Sequence, residues 1–123
     1  MMKSKNFIIP LVIYPFDVMF SFNESDEKVV EHLKKYGIDT TDNSKWKFEE
    51  NGKGRCIIFE TGQTLVRLLN YPITNEDYSF LQHEIFHAVH FIMRRINTKL
   101  KVNSCEPFAY LIGYLTKEVY NKI

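Results

Sequence analysis

Six residues, Gln82-His83-Glu84-Ile85-Phe86-His87, bring together side chains that could do chemistry. His83 and His87 are four apart with Glu84 next to the first, the His-Glu-x-x-His pattern that places half a zinc site and its base on one helical turn. Four residues of helix rise roughly 6 Å and overshoot a full turn by about 40°, so both imidazoles can converge on one ion at about 2.0–2.1 Å. Glu84 points about 100° away from His83. That direction is poor for a third ligand but suits a base acting on a water held at the metal's open position. The bland alternative is a pair of core histidines hydrogen-bonded to backbone.

The surroundings favour the chemical reading. Leu81, Ile85, Phe86, Ala88, Val89 and Ile92 wrap the motif in apolar side chains, which predicts a helix buried on most sides. Two histidines and a glutamate on such a helix are costly unless paired or bound to metal. A catalytic zinc site needs one more protein ligand. Glu106, 19 residues past His87, is the candidate, since a helix, a loop and an antiparallel helix would return it to the ion. Asp77 and His90 are the substitutes. His90 lies on roughly the same face as His83 and His87, and a supporting role, a substrate-facing role and direct metal binding are all open to it.

The elements that must position these groups follow from patterning. Lys3 and Lys5 precede an apolar run, Phe7 to Tyr14, that Pro10 and Pro15 break, so it predicts a buried strand over about Leu11–Tyr14 and not a leader or a membrane span. Alternation in Val18–Phe22 predicts a second strand with Val18, Phe20 and Phe22 on one face. Ser25 is the expected N-cap of a first helix, with Asp26 and Glu27 in its first turn, Val29, Val30, Leu33 and Tyr36 as its apolar stripe and Gly37 as its stop. His32 falls on its polar side. Trp46–Glu49, Arg55–Glu60 and Gln63–Leu69 read as three strands, the last two joined at Thr61-Gly62. Thr74 is the expected N-cap of the central helix, which runs to about Ile96. Ser104 is the expected cap of a last helix with Phe108, Leu111, Ile112, Leu115 and Val119 inward, and small Ala109 and Gly113 suited to close approach to the central helix. The expected architecture is a single α+β domain over residues 1–123, a mostly antiparallel sheet packed against three helices.

Composition bounds the function classes. The chain has 123 residues, 45% hydrophobic and 25% charged, as ordinary globular proteins do, and a formal net charge of +1 gives no push towards nucleic acid. Arg94, Arg95, Lys99 and Lys101 form a modest basic cluster, read as a solvated helix end against the alternative of a carboxylate- or phosphate-facing patch. Cys56 and Cys105 are weak grounds for a disulfide or a thiolate zinc site. The expected setting is cytoplasmic, with a peptide or protein substrate and no membrane partner.

On His83, Glu84, His87 and Glu106 the chain resembles the gluzincin class of zinc metallopeptidases, of which thermolysin is the familiar member. In size and element order it is similar to the single-domain forms called minigluzincins, which implies a zincin-like fold. It also resembles small proteins of tailed bacteriophages, through Pro15-Phe16-Asp17 and the run Glu106 to Tyr114; that resemblance places it in a host cytoplasm or virion. The likeness implies two histidine ligands, Glu106 as third ligand, zinc as cofactor, and peptide-bond hydrolysis by a metal-activated water with Glu84 as base. Two departures stand out. Tyr110 replaces the aspartate that in thermolysin-like enzymes orients the first histidine, and there is no second lobe to supply an oxyanion-steadying group. Tyr110, Tyr114 or His90 would have to serve. The competing expectation is a non-catalytic zinc-binding structural or interaction protein of a larger assembly, its 7 Tyr and 10 Phe including interface anchors. A different metal-dependent hydrolase is the third reading.

Overall fold

Alternation in Asp17–Phe22 decides the centre of the sheet. Val18, Phe20 and Phe22 are fully buried on one face, while Met19 joins a separate cluster on the other, as a strand's period of two requires. The structure, a computed structural model, describes residues 3–11, 14, 16–41 and 46–123. In chain order these form β1 (Lys5–Pro10), β2 (Asp17–Phe22), α1 (Asp26–Lys35), β3 (Gly54–Ile58), β4 (Thr64–Leu68), α2 (Asn75–Arg95), a 3₁₀ turn (Val102–Ser104) and α3 (Cys105–Lys122). The sheet order is β1-β2-β4-β3. Its outer pairings are antiparallel, but the central one, β2 with β4, is parallel. The fold is therefore α+β with a mixed sheet.

Helices cover both faces. Val29 and Leu33 of α1 pack with Met19, Ile38, Trp46, Ile57, Phe59 and Leu65. On the other face, α2 and α3 bury Leu81, Ile85, Ala88, Val89, Ile92, Phe108, Leu111, Leu115 and Val119 over Val18, Phe20, Phe22, Val66 and Leu68. Helix ends are set locally. Ser25 accepts from the Lys28 amide at 3.2 Å, and Gly37, at φ +81°, ends α1 as Gly37 and Ile38 donate back to the carbonyls of Lys34 and Leu33. Among the described residues, no helix is long and apolar enough to cross a membrane.

Three expectations need correction. The first strand is Lys5–Pro10, ahead of the expected Leu11–Tyr14, of which Val12 and Ile13, like the expected Pro15 break, lie outside the described residues. Pro10 closes this edge strand, where its missing N–H costs no central pairing. Trp46–Glu49 is not a strand. Its Trp46 carbonyl instead accepts from Arg67 Nη1 at 2.8 Å. Finally, the Ala109 and Gly113 side of α3 faces outward, and a Cβ at Gly113 would meet nothing within 4 Å. The helix packs through Phe108, Leu111, Leu115 and Val119 instead, because that stripe buries far more apolar area.

Arg67, on the central strand β4, is only 1% exposed. Its guanidinium donates to Asp26 Oδ1 at 3.0 Å, to the Trp46 carbonyl and to the Glu24 carbonyl at 3.0 Å, and lies 4.3 Å from the Phe48 ring centre. It thereby ties the start of α1 and the 46–48 segment to the sheet. Arg67→Ala is expected to lower stability by about 2–5 kcal/mol, from the lost packing and the acceptors left unpaired. Urea unfolding, read as a lower midpoint at unchanged slope, checks it.

Candidate metal centre

Positioning of the motif begins at the ends of α2. Thr74 Oγ1 accepts from the Asp77 amide at 3.1 Å, and Asp77 Oδ2 accepts from the amides of Thr74 and Ile73, both at 3.0 Å. This reciprocal cap holds the Asp77 carboxyl below its usual range, through the Thr74 amide first and the Ile73 amide second. Asp77 is thus occupied as a cap and is no substitute ligand. At the far end Asn97, at φ +66°, closes the helix, with Asn97 and Thr98 donating to the carbonyls of Arg94 and Met93.

Between these caps the buried stripe of α2 turns the motif in two directions. Leu81, Ile85, Ala88, Val89 and Ile92 face the sheet, so His83 is exposed and His87 half-buried on the outer side. Their Nε2 atoms are 3.1 Å apart, one donating to the other. Glu84 turns inward and is 8% exposed. His83, Glu84 and His87 form a cluster whose ligand atoms lie within 4.8 Å of one another.

Two of the three groups have shifted proton affinities. Burial, then the neighbouring charges of His83 and His90, hold the His87 pKa below its ordinary value. Neutral imidazole, the form a metal requires, therefore persists to lower pH. Burial pushes the Glu84 carboxyl up, with His83 and Arg55 pulling the other way. In the metal-free protein the folded state holds the Glu84 proton above the ordinary value of 4.5. Stability is then lost as pH rises from that value through the raised folded one. Glu84→Gln is accordingly expected to raise the melting temperature of the metal-free protein at neutral pH, with the gain disappearing in acid. Thermal melts across that range check it.

Two nitrogens bound to one tetrahedral ion at about 2.0–2.1 Å are about 3.3 Å apart. The 3.1 Å pair needs little adjustment to meet that. Two imidazoles plus carboxylate oxygen is a donor set that zinc accepts.

The other expected site residues are spread around this cluster. Pairings of Tyr78 with Tyr120, Gln82 with Thr116 and His90 with Phe108 run in opposite chain directions, so α2 and α3 are antiparallel, as expected. Glu106 is exposed in the first turn of α3 and does not belong to the cluster. Tyr110 is 75% exposed. Tyr114 donates its hydroxyl to the Pro10 carbonyl at 2.8 Å, which ties α3 to β1. His90 stacks on Phe86 and tilts against Phe108, each ring centre 6.3 Å away. His32 is partly covered, its Nε2 3.1 Å from Glu24 Oε2. Cys56 and Cys105 are free thiols. Ser104 stands at the start of α3, yet its hydroxyl serves the preceding turn, accepting from the Lys101 amide and donating to the Lys99 carbonyl.

Gly54 is the neighbour that pattern reading missed. It opens β3, an edge of the sheet, and the Glu84 side chain lies against it. A glycine inside a strand is a sign of close approach, but the sequence does not say by what.

No protein-family model matches the chain, and no curated protein and no solved structure matches it either. The functional reading therefore rests on the site.

Proposed function

We propose that the protein is a zinc-dependent peptidase of the gluzincin kind. The carrying observation is the buried Glu84 carboxylate within 4.8 Å of a converging His83–His87 pair. His83 and His87 would hold the ion, and Glu106 would complete the ligand set. The first turn of α3, where Glu106 is exposed, lies beside the α2 turn that carries His90, one turn on from His87, through the Phe108 ring.

A bound zinc ion supplies Lewis acidity towards a carbonyl and makes a water acidic enough to ionise near neutral pH. Glu84 would serve as the base, taking one proton from a water as the water's oxygen bonds to the scissile carbonyl carbon. As the C–N bond breaks, the same carboxyl would return that proton to the leaving nitrogen. A carboxyl raised by burial binds that proton more readily than an exposed one. The substrate backbone would add to β3, the sheet edge beside Glu84, by strand pairing. β4 is internal to the sheet and has no free edge to offer. Tyr110 and His90 are the groups left to steady the developing oxyanion, since Tyr114 is engaged by Pro10.

A mixed peptide library incubated with zinc-loaded protein, with and without chelator, tests this reading. Chelator-sensitive cuts support it, and their absence over many sequences overturns it.

A second reading, a non-catalytic zinc protein of a larger assembly such as a phage particle, draws on the outward apolar side chains Ile73, Val102 and Tyr110. Under it the protein binds zinc without cleaving peptides, so the same incubation separates the two.

A further inference from the structure

The close approach of Glu84 to β3 gives a role to a residue with no side chain. A Cβ built on Gly54 would stand 2.8 Å from Glu84 Oε2, 2.9 Å from its Cγ and 3.1 Å from its Cδ. These separations are below van der Waals contact for carbon, and they involve the whole end of the side chain, not one swinging atom. The contact is relieved only if the Glu84 side chain moves off the strand. Glu84 is buried between α2 and the sheet edge, and its backbone is fixed by a helix capped at both ends. Glycine is also an unfavourable strand residue, costing backbone entropy and offering nothing to pack. Its place at the head of β3 therefore has a local reason, and that reason is the Glu84 carboxylate.

We infer that Gly54 is a positioning residue for Glu84: the missing Cβ is the slot in which the carboxylate rests, at the edge strand beside His83 and His87. The inference builds on Glu84 as the proton carrier proposed above. Adding a methyl at Gly54 displaces the carboxylate, whereas both imidazoles keep their place on α2, since the three atoms nearest that methyl all belong to Glu84. Metal affinity and proton handling thus become separable by a change on a strand that holds no ligand.

The experiment combines G54A with changes at position 84. In the metal-free protein, G54A should lower the melting temperature, because the new methyl meets Glu84. In an E84A background the same change should be neutral or stabilising, because the obstacle is gone and alanine suits a strand better than glycine. That reversal of sign is independent of any activity. In the zinc-loaded protein, G54A should retain wild-type zinc affinity and lose about 10²-fold in hydrolysis, the scale of a misplacement near 1 Å. Shortening the acid in E84D/G54A should recover part of that loss, although E84D alone lowers the rate. A melting shift of the same sign in both backgrounds overturns the inference, as does an active wild type whose G54A variant cleaves at the wild-type rate. A wild type that cleaves nothing removes the base and the inference with it. That failure belongs to the proposed peptidase and differs from the other two, in which wild-type cleavage is intact.

Discussion

Glu84→Gln leaves zinc bound and the fold intact while hydrolysis falls by about 10²–10⁴-fold, the worth of a positioned proton acceptor. The expectation rests on what glutamine keeps. It has the same length and shape, so it fills the slot beside Gly54, and it has no charge to bury, so the α2–β3 seam is not weakened. What it cannot do is accept a proton from water and deliver it to an amine. Initial rates on one cleaved peptide, with bound zinc measured on the same samples, check this. Equal rates in wild type and E84Q would remove Glu84 from the mechanism.

The second large effect is on the metal. His83→Ala or His87→Ala removes one of two nitrogens that already lie 3.1 Å apart, and the remaining one cannot hold an ion alone. Zinc affinity should fall by more than the about 10–100-fold that follows loss of a mere outer-layer partner. Competition with a chromogenic chelator measures it. Glu106→Ala belongs in the same series. A loss comparable to that of the histidine variants supports Glu106 as the third ligand, and wild-type affinity excludes it.

Local features were the legible ones. The pattern of His83, Glu84 and His87 depends only on spacing along one helix, and so do the caps at Ser25, Thr74 and Gly37, each of which bonds within a few residues of itself. Features that depend on distant partners were not. Trp46–Glu49 alternates like a strand, but a buried guanidinium 21 residues away takes its carbonyl. On α3 the inward stripe of Phe108, Leu111, Leu115 and Val119 was legible from its period, but the expected close approach of Ala109 and Gly113 to the central helix was not met, since that side faces outward. Gly54 carried no mark of Glu84, 30 residues on, because the contact exists only after β3 has docked beside α2.

The sheet order β1-β2-β4-β3 makes the motif non-portable. The last strand of the chain lies in the interior of the sheet, and the strand that cradles Glu84 hangs on it from outside. β3 therefore has no fixed place until β4 has aligned parallel to β2, a pairing that brings Val18 against Thr64 across the intervening α1 and β3. A fragment starting at Ile73 would keep both histidines and the caps of α2, yet its glutamate would lose the strand it rests against. Transplanting the six-residue motif into another scaffold would carry His83, Glu84 and His87 without the strand against which Glu84 rests.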